Sequence, residues 1–326
     1  MNDGPVKVFC RNCKTKLDIS DLEAFTTFPC PVCSTVIRVP EKFDRYLLEK
    51  VCGTGGMSKI YRALDTKLAR RVAVKIIDPE AGNGRTFFET AKLVAKINHP
   101  AVVPVLDCGV YGDRPFMVMK YMDQGDLERH LKAGTLPPVP VLAGHLASIA
   151  SGLESAASKM IVHHDVKPSN ILLSSGSDAA LGDFDLADIR EPGDVQTQCQ
   201  EWGSPGYLSP ERLYSGGEDR RGDIFSLGVT IYELISGRLP FGISQDTEEL
   251  YRRRQAMEFP ALANVVPQIP AWFSELVSAM LEFDMDKRPD YPEIISGLLR
   301  LAGEYRTAPV IPRTGGLADW LKRKEK

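Results

Sequence analysis

The stretch His163-His164-Asp165-Val166-Lys167-Pro168-Ser169-Asn170, with Asp183-Phe184-Asp185 beginning thirteen residues after Asn170, constrains this chain more than any other feature. A carboxylate, a cation two residues on, an amide five on and then a second carboxylate make up the set that phosphoryl transfer from ATP requires. Asp165 suits a substrate hydroxyl, which it would accept or orient. Lys167 suits the γ-phosphate, and Asn170 and Asp183 suit the Mg²⁺ (or Mn²⁺) ions that neutralise charge on the transferring group. Fragments such as His-x-Asp recur by chance, so the order of their surroundings carries the argument. A glycine-rich run, Gly53-Thr54-Gly55-Gly56-Met57-Ser58, and then Val72-Ala73-Val74-Lys75 precede the stretch, and Ser209-Pro210-Glu211 follows it.

Gly53, Gly55 and Gly56 let backbone N–H groups approach phosphates without Cβ interference. Lys75 follows Gly55 by twenty residues in an apolar run, where an ammonium without a task would be a poor core residue, so it reads as a ligand of the α- and β-phosphates. The pattern predicts strands near 45–50, 60–64, 71–77, 103–108 and 115–119, with a helix over about 85–97. From Gly125 to about Leu301 it reads as mostly helical.

Residues from about Phe43 to Leu301 resemble the bacterial Hanks-type serine/threonine protein kinases. The glycine loop, with Met57-Ser58 in place of the commoner third glycine, is closest to theirs, and Lys167-Pro168 matches the serine/threonine branch. The resemblance implies an α+β, two-lobed protein-kinase fold over 43–302: an N-lobe at 43–118, a hinge at 119–124 and a C-lobe at 125–302. It implies protein substrates, adenine held by backbone groups of Lys120 and Met122, and Met119 as gatekeeper. It also implies that Glu211 pairs with Arg288 to brace the Gly203-to-Glu211 loop that seats the substrate residue, and that Asp223 bonds the catalytic-loop backbone. Asp126 could take a ribose hydroxyl or simply cap a helix. Two readings stay open: ATP-dependent phosphotransfer to protein hydroxyls, and a pseudokinase that binds nucleotide or partners with little turnover.

Three positions depart from the family pattern. The helix glutamate expected to pair with Lys75 falls on Thr90, and Glu89, one residue early, is rotated by about 100° around a helix axis. His164 stands where an arginine usually receives activation-loop phosphate, and a largely neutral imidazole would be a poor clamp, so Thr197, the only threonine between Asp183 and Glu211, should matter little. Asp185 replaces a glycine, removing a permissive hinge and adding charge near the metal ligands.

Residues 1–40 read as a separate unit. Cys10-x-x-Cys13 and Cys30-x-x-Cys33 lie sixteen residues apart, the spacing of a zinc ribbon in which two knuckles give one ion a closed Cys₄ shell. Alternating Val6/Val8, Leu17/Ile19 and Ile37/Val39 suggest short strands, and Zn²⁺ would supply the stability that so small a core lacks. Five Lys/Arg against four Asp/Glu in residues 1–40 give no basic face for nucleic acid, so a protein-interaction or packing module is the better reading.

The formal net charge of −3 offers no electrostatic case for nucleic acid or an anionic membrane, and 43% apolar content supports real cores. No apolar run is long enough to span a membrane and no signal peptide opens the chain, so the expected location is cytoplasmic. Cys52, Cys108 and Cys199 are scattered, as reduced thiols would be. Residues 303–326 read as a breaker-rich linker and a short basic tail.

Overall fold

Each Cys-x-x-Cys turn closes a short hairpin. In the computed structural model, which describes residues 7–55, 58–78, 84–176, 178–189, 203–214, 218–244 and 246–304, β1 (Lys7–Phe9) pairs with β2 (Lys16–Asp18) and β3 (Thr27–Pro29) with β4 (Val36–Arg38). Leu17 packs inward on Cys10 and Cys30, with Val8, Phe28 and Ile37 at the rim. Gly56, Thr197, Cys199 and the tail from 305 lie outside the described residues.

The chain next forms a six-stranded antiparallel sheet in the order β5 (Glu41–Phe43), β6 (Tyr46–Thr54), β7 (Ser58–Asp65), β8 (Arg70–Ile77), then β10 (Arg114–Lys120) and β9 (Val105–Tyr111). Strand alternation decides its two faces. Val72, Val74 and Ile76 join Phe43, Tyr46 and Phe116 in one core, and Phe25 of the cysteine-rich segment packs against it. The opposite face carries Met117, covered by Phe87 and Ala91 of α1 (Gly84–Ala95). The short strands β3 and β5 are additions to the sequence expectation. The cysteine-rich segment also belongs to the same structural unit as the sheet, comprising residues 1–91 and 104–121.

The second unit, residues 92–103 and 122 onward, is mostly helical. Asp126 closes the two-residue β11 (Gly125–Asp126) and caps α2 (Leu127–Ala133), accepting from the Arg129 N–H at 2.8 Å, which establishes the capping role. α3 (Val139–Ala157) buries Leu142, Leu146, Ile149 and Leu153. β12 (Ile161–Val162), β13 (Ile171–Leu173), β14 (Ala179–Leu181) and β15 (Asp188–Ile189) form the short pairings that flank the 163–170 stretch. α4 (Pro210–Tyr214), α5 (Arg220–Ser236), α6 (Thr247–Gln255), α7 (Leu262–Val265), α8 (Ala271–Met280) and α9 (Tyr291–Glu304) follow. α5 is buried along nearly its whole length, and Gly228 makes this possible, because a Cβ there would lie 2.9 Å from that of Met280. Among the described residues no helix is long and apolar enough to cross a membrane.

Candidate functional site

On the sheet, register brings the phosphate-binding candidates into one row. Gly53 of β6 faces Ile60 of β7, Ile60 faces Lys75 of β8, and Lys75 faces Met117 of β10. Paired residues of an antiparallel sheet share a face, so Lys75 lies on the side opposite the aromatic core and is only 4% exposed. The Gly55 N–H donates to the Ser58 carbonyl at 2.9 Å. On α1 Thr90 is buried and Glu89 is exposed, so the helix is in the phase the sequence implies. The Lys120 N–H donates to the Pro104 carbonyl at 3.2 Å.

In the helical unit the catalytic stretch is tied together by its own hydrogen bonds. Asp165 Oδ2 lies 2.7 Å from Lys167 Nζ and accepts from Asn170 Nδ2 at 2.9 Å, while the same amide donates to the Asp165 carbonyl at 2.8 Å. The Asn170 nitrogen is thereby committed, and its side-chain carbonyl oxygen is the atom suited to a cation. Gly182 N–H donates to the Asn170 carbonyl at 2.9 Å, which brings the start of Asp183-Phe184-Asp185 to the catalytic loop. His163 Nδ1 accepts from the Asp165 N–H at 3.1 Å, so its proton sits on Nε2 and is donated to the Gly182 carbonyl at 3.0 Å. Asp223 accepts from the backbone N–H groups of His163 (2.8 Å) and His164 (2.9 Å). His164 and Asp183 both hold left-handed backbones, at φ 67° and 57°, a strain that surrounding contacts must sustain. Asp185 is not among the positive-φ residues, so the position does not require the glycine it lacks.

Residues 46–297 match the protein kinase domain. This chain belongs to the protein kinase family. The kinase is 36% identical over 240 residues to serine/threonine-protein kinase PknL of Mycobacterium tuberculosis, an overlap covering 72% of this chain and 60% of PknL. It is 33% identical over 270 residues to serine/threonine-protein kinase pkn2 of Myxococcus xanthus, covering 79% of this chain and 32% of that protein. Serine/threonine-protein kinase PrkC of Bacillus subtilis is 32% identical over 231 residues, covering 69% and 35%. The kinase thus spans less than two thirds of each of these relatives.

The surroundings of His164 correct one sequence expectation. His164 is buried, and both ring nitrogens face carboxylates: Nε2 meets Asp188 at 2.8 Å, and Nδ1 meets Glu218. Burial alone would discharge the ring, but these two partners outweigh it and push His164 up to about 9, so it is an imidazolium rather than a largely neutral imidazole. Glu218, fully enclosed, also accepts from Ser209 Oγ (2.6 Å) and Arg212 Nη1 (2.8 Å). Burial would raise its pKa, yet the His164 bond and the neighbouring cations hold it well below the usual carboxylate range. Gly222 makes room for it, since a Cβ there would collide with the Glu218 carboxylate. Glu211 and Arg288 form the expected bidentate pair, at 2.7 and 2.8 Å.

A pH dependence follows. The raised His164 contributes stability fully below its ordinary 6.5 and loses it as pH climbs through about 9, whereas the depressed Glu218 contributes fully above its ordinary 4.5. The expected result is that the wild-type advantage over His164→Gln in urea midpoint shrinks steadily between pH 6.5 and 9. An advantage constant over that range would contradict the imidazolium assignment.

The four cysteines of the N-terminal segment converge. Their sulfurs lie within 4.8 Å of one another, with Cys10–Cys33 at 3.5 Å and Cys13–Cys30 at 3.6 Å. A tetrahedral shell with metal–sulfur bonds of about 2.3 Å has edges of about 3.8 Å, so the donor set fits one thiolate-bound ion. The two knuckles repeat each other. Cys10 and Cys30 N–H groups donate to Thr15 and Thr35 carbonyls, both at 2.9 Å, and Lys14 and Ser34 occupy equivalent left-handed positions at φ 60° and 57°. The thiols titrate together: hydrogen bonding by Thr35 draws Cys33 down to about 5, while at Cys10 the Cys13 backbone N–H is outweighed by burial and the neighbouring thiols, which push it up to about 11.

Proposed function

We propose that this kinase transfers the γ-phosphoryl group of ATP to serine or threonine hydroxyls of proteins, and that residues 1–40 form a structural zinc ribbon on Cys10, Cys13, Cys30 and Cys33. The observation that carries the first reading is the Asp165–Lys167–Asn170 cluster, closed by hydrogen bonds and joined through Gly182 to Asp183.

In the reaction, Asp165 accepts the hydrogen bond and finally the proton of the attacking hydroxyl. The new oxygen–phosphorus bond forms as the bond to the β-phosphate oxygen breaks, and ADP carries away that electron pair. Lys167 steadies the negative charge of the group in transit, and its 2.7 Å contact keeps the Asp165 carboxylate anchored. Lys75, with the backbone of Gly53, Gly55 and Gly56, holds the remaining phosphates. Asn170 Oδ1 and the Asp183 carboxylate would hold Mg²⁺ or Mn²⁺, which supplies charge neutralisation when bound. The hinge backbone at Lys120 and Met122 would receive adenine. Protein substrates, and a partner for the ribbon, follow from the same reading.

Incubating the protein with γ-labelled ATP and Mg²⁺ or Mn²⁺, followed by phosphoamino-acid analysis, should give label on serine or threonine, and Lys75→Met should serve as the blank. Label on tyrosine alone would overturn the substrate class. Thr197→Ala should keep most of the activity, because the His164 charge is already committed to Glu218 and Asp188. A loss of about a hundredfold or more, about 2.7 kcal/mol, would show that loop phosphate does find a cation.

A further inference from the structure

Arg254 is the last of three consecutive arginines on α6, yet none of its surface is exposed (0%). Its guanidinium lies over two aromatic rings, 5.5 Å from the centroid of Phe225 and 5.6 Å from that of Phe241. Nη2 donates to the carbonyls of Pro205 (2.8 Å) and Gly206 (3.1 Å). Nε and Nη1 are buried and have no hydrogen-bond partner among the described residues. Burial draws its pKa down to about 9. A charge kept in these surroundings opposes stability, and a leucine or methionine would fill the space at less cost.

What the charge accomplishes is visible in its two acceptors. Pro205 and Gly206 belong to the 203–208 loop, which also presents Ser204, and Ser204 Oγ accepts from Lys167 Nζ at 3.0 Å. Lys167 in turn contacts Asp165 at 2.7 Å. The loop has little freedom elsewhere, since a Cβ at Gly206 would lie 3.0 Å from Leu239 and Gly203 sits at φ +122°. Resting on the phosphotransfer reading above, we propose that Arg254 is a positioning residue for the protein substrate: it clamps the 205–206 backbone to α6, so that the loop presents the acceptor hydroxyl in register with Asp165.

The test uses the full chain with Arg254→Met and Arg254→Lys. The Met variant should raise KM for a protein substrate by about tenfold, the loss of charge-assisted bonds to two carbonyls, and leave KM for ATP within about twofold. It should melt within about 2 °C of wild type, because two unsatisfied donors leave with the side chain. The Lys variant, which keeps the charge without the fork, should fall between. Hydrogen exchange needs no turnover: amides 206–208 should lose about tenfold in protection while those of α5 hold. An unchanged substrate KM in an otherwise active enzyme overturns the proposal and leaves phosphotransfer standing. Early melting with both KM values rising together marks a merely structural arginine and also overturns it. If the wild type shows no turnover, the activity reading fails, and exchange decides the clamp: lost protection supports it, unchanged protection overturns it.

Discussion

Asp183→Asn should reduce phosphotransfer about a thousandfold, about 4 kcal/mol of transition-state stabilisation, while leaving the melting temperature close to wild type. Asp183 holds a left-handed backbone at φ 57°, and asparagine adopts that conformation as readily as aspartate, so the turn and the Gly182-to-Asn170 hydrogen bond survive. Only the negative charge is lost, and that charge is what a divalent ion held at Asp183 would need most. Steady-state rates with labelled ATP, read beside a thermal melt, check both halves. A variant within about fivefold of wild type would remove Asp183 from the metal-holding role.

Cys10→Ser should unfold the cysteine-rich segment and release its metal. Among its described residues the segment gathers Cys10, Leu17 and Cys30 in one small core and also buries Ile19 and Val39, short of what ordering some forty residues requires, and metal binding of about 10 kcal/mol or more would make up the difference. Its effect on the sheet should be small. The Phe25 ring stacks 6.0 Å from Tyr61, and Arg11 reaches Glu49 at 3.3 Å, contacts worth about 1 kcal/mol in sum. Metal content and amide exchange of residues 7–40, with the melt of the remaining chain as control, give the result. One zinc per wild-type chain and none in the variant is expected; a metal-free wild type with an ordered segment would contradict it.

The candidate site residues were legible because their spacing is local. Asp165, Lys167 and Asn170 lie on one short loop, and their hydrogen bonds span five residues or fewer. The alternation of Val72, Val74 and Ile76 likewise announced a strand with Lys75 on its other face. Charge state was not legible. His164 takes its partners from positions 24 and 54 residues away, so the sequence offered only the free imidazole's behaviour. Arg254 was hidden by its neighbours, because three consecutive arginines read as a solvated face. The available signal was helical phase, since buried Leu250 lies one turn before it. The strands β3 and β5 escaped notice because each carries a single phenylalanine among Thr, Pro, Glu and Lys, which shows no alternation.

Whether the Asp165, Lys167, Asn170 and Asp183 set turns over is decided by comparing wild type with Asp165→Asn for label transferred from γ-labelled ATP to protein. The substitution keeps side-chain shape but removes both the proton acceptor and the charge that Lys167 contacts. Incorporation that is Mg²⁺- or Mn²⁺-dependent in wild type and lower by about a thousandfold in the variant is the predicted result. Equal incorporation by both proteins, or none by a wild type that binds ATP, would contradict it, and the second outcome would make this chain a nucleotide-binding pseudokinase.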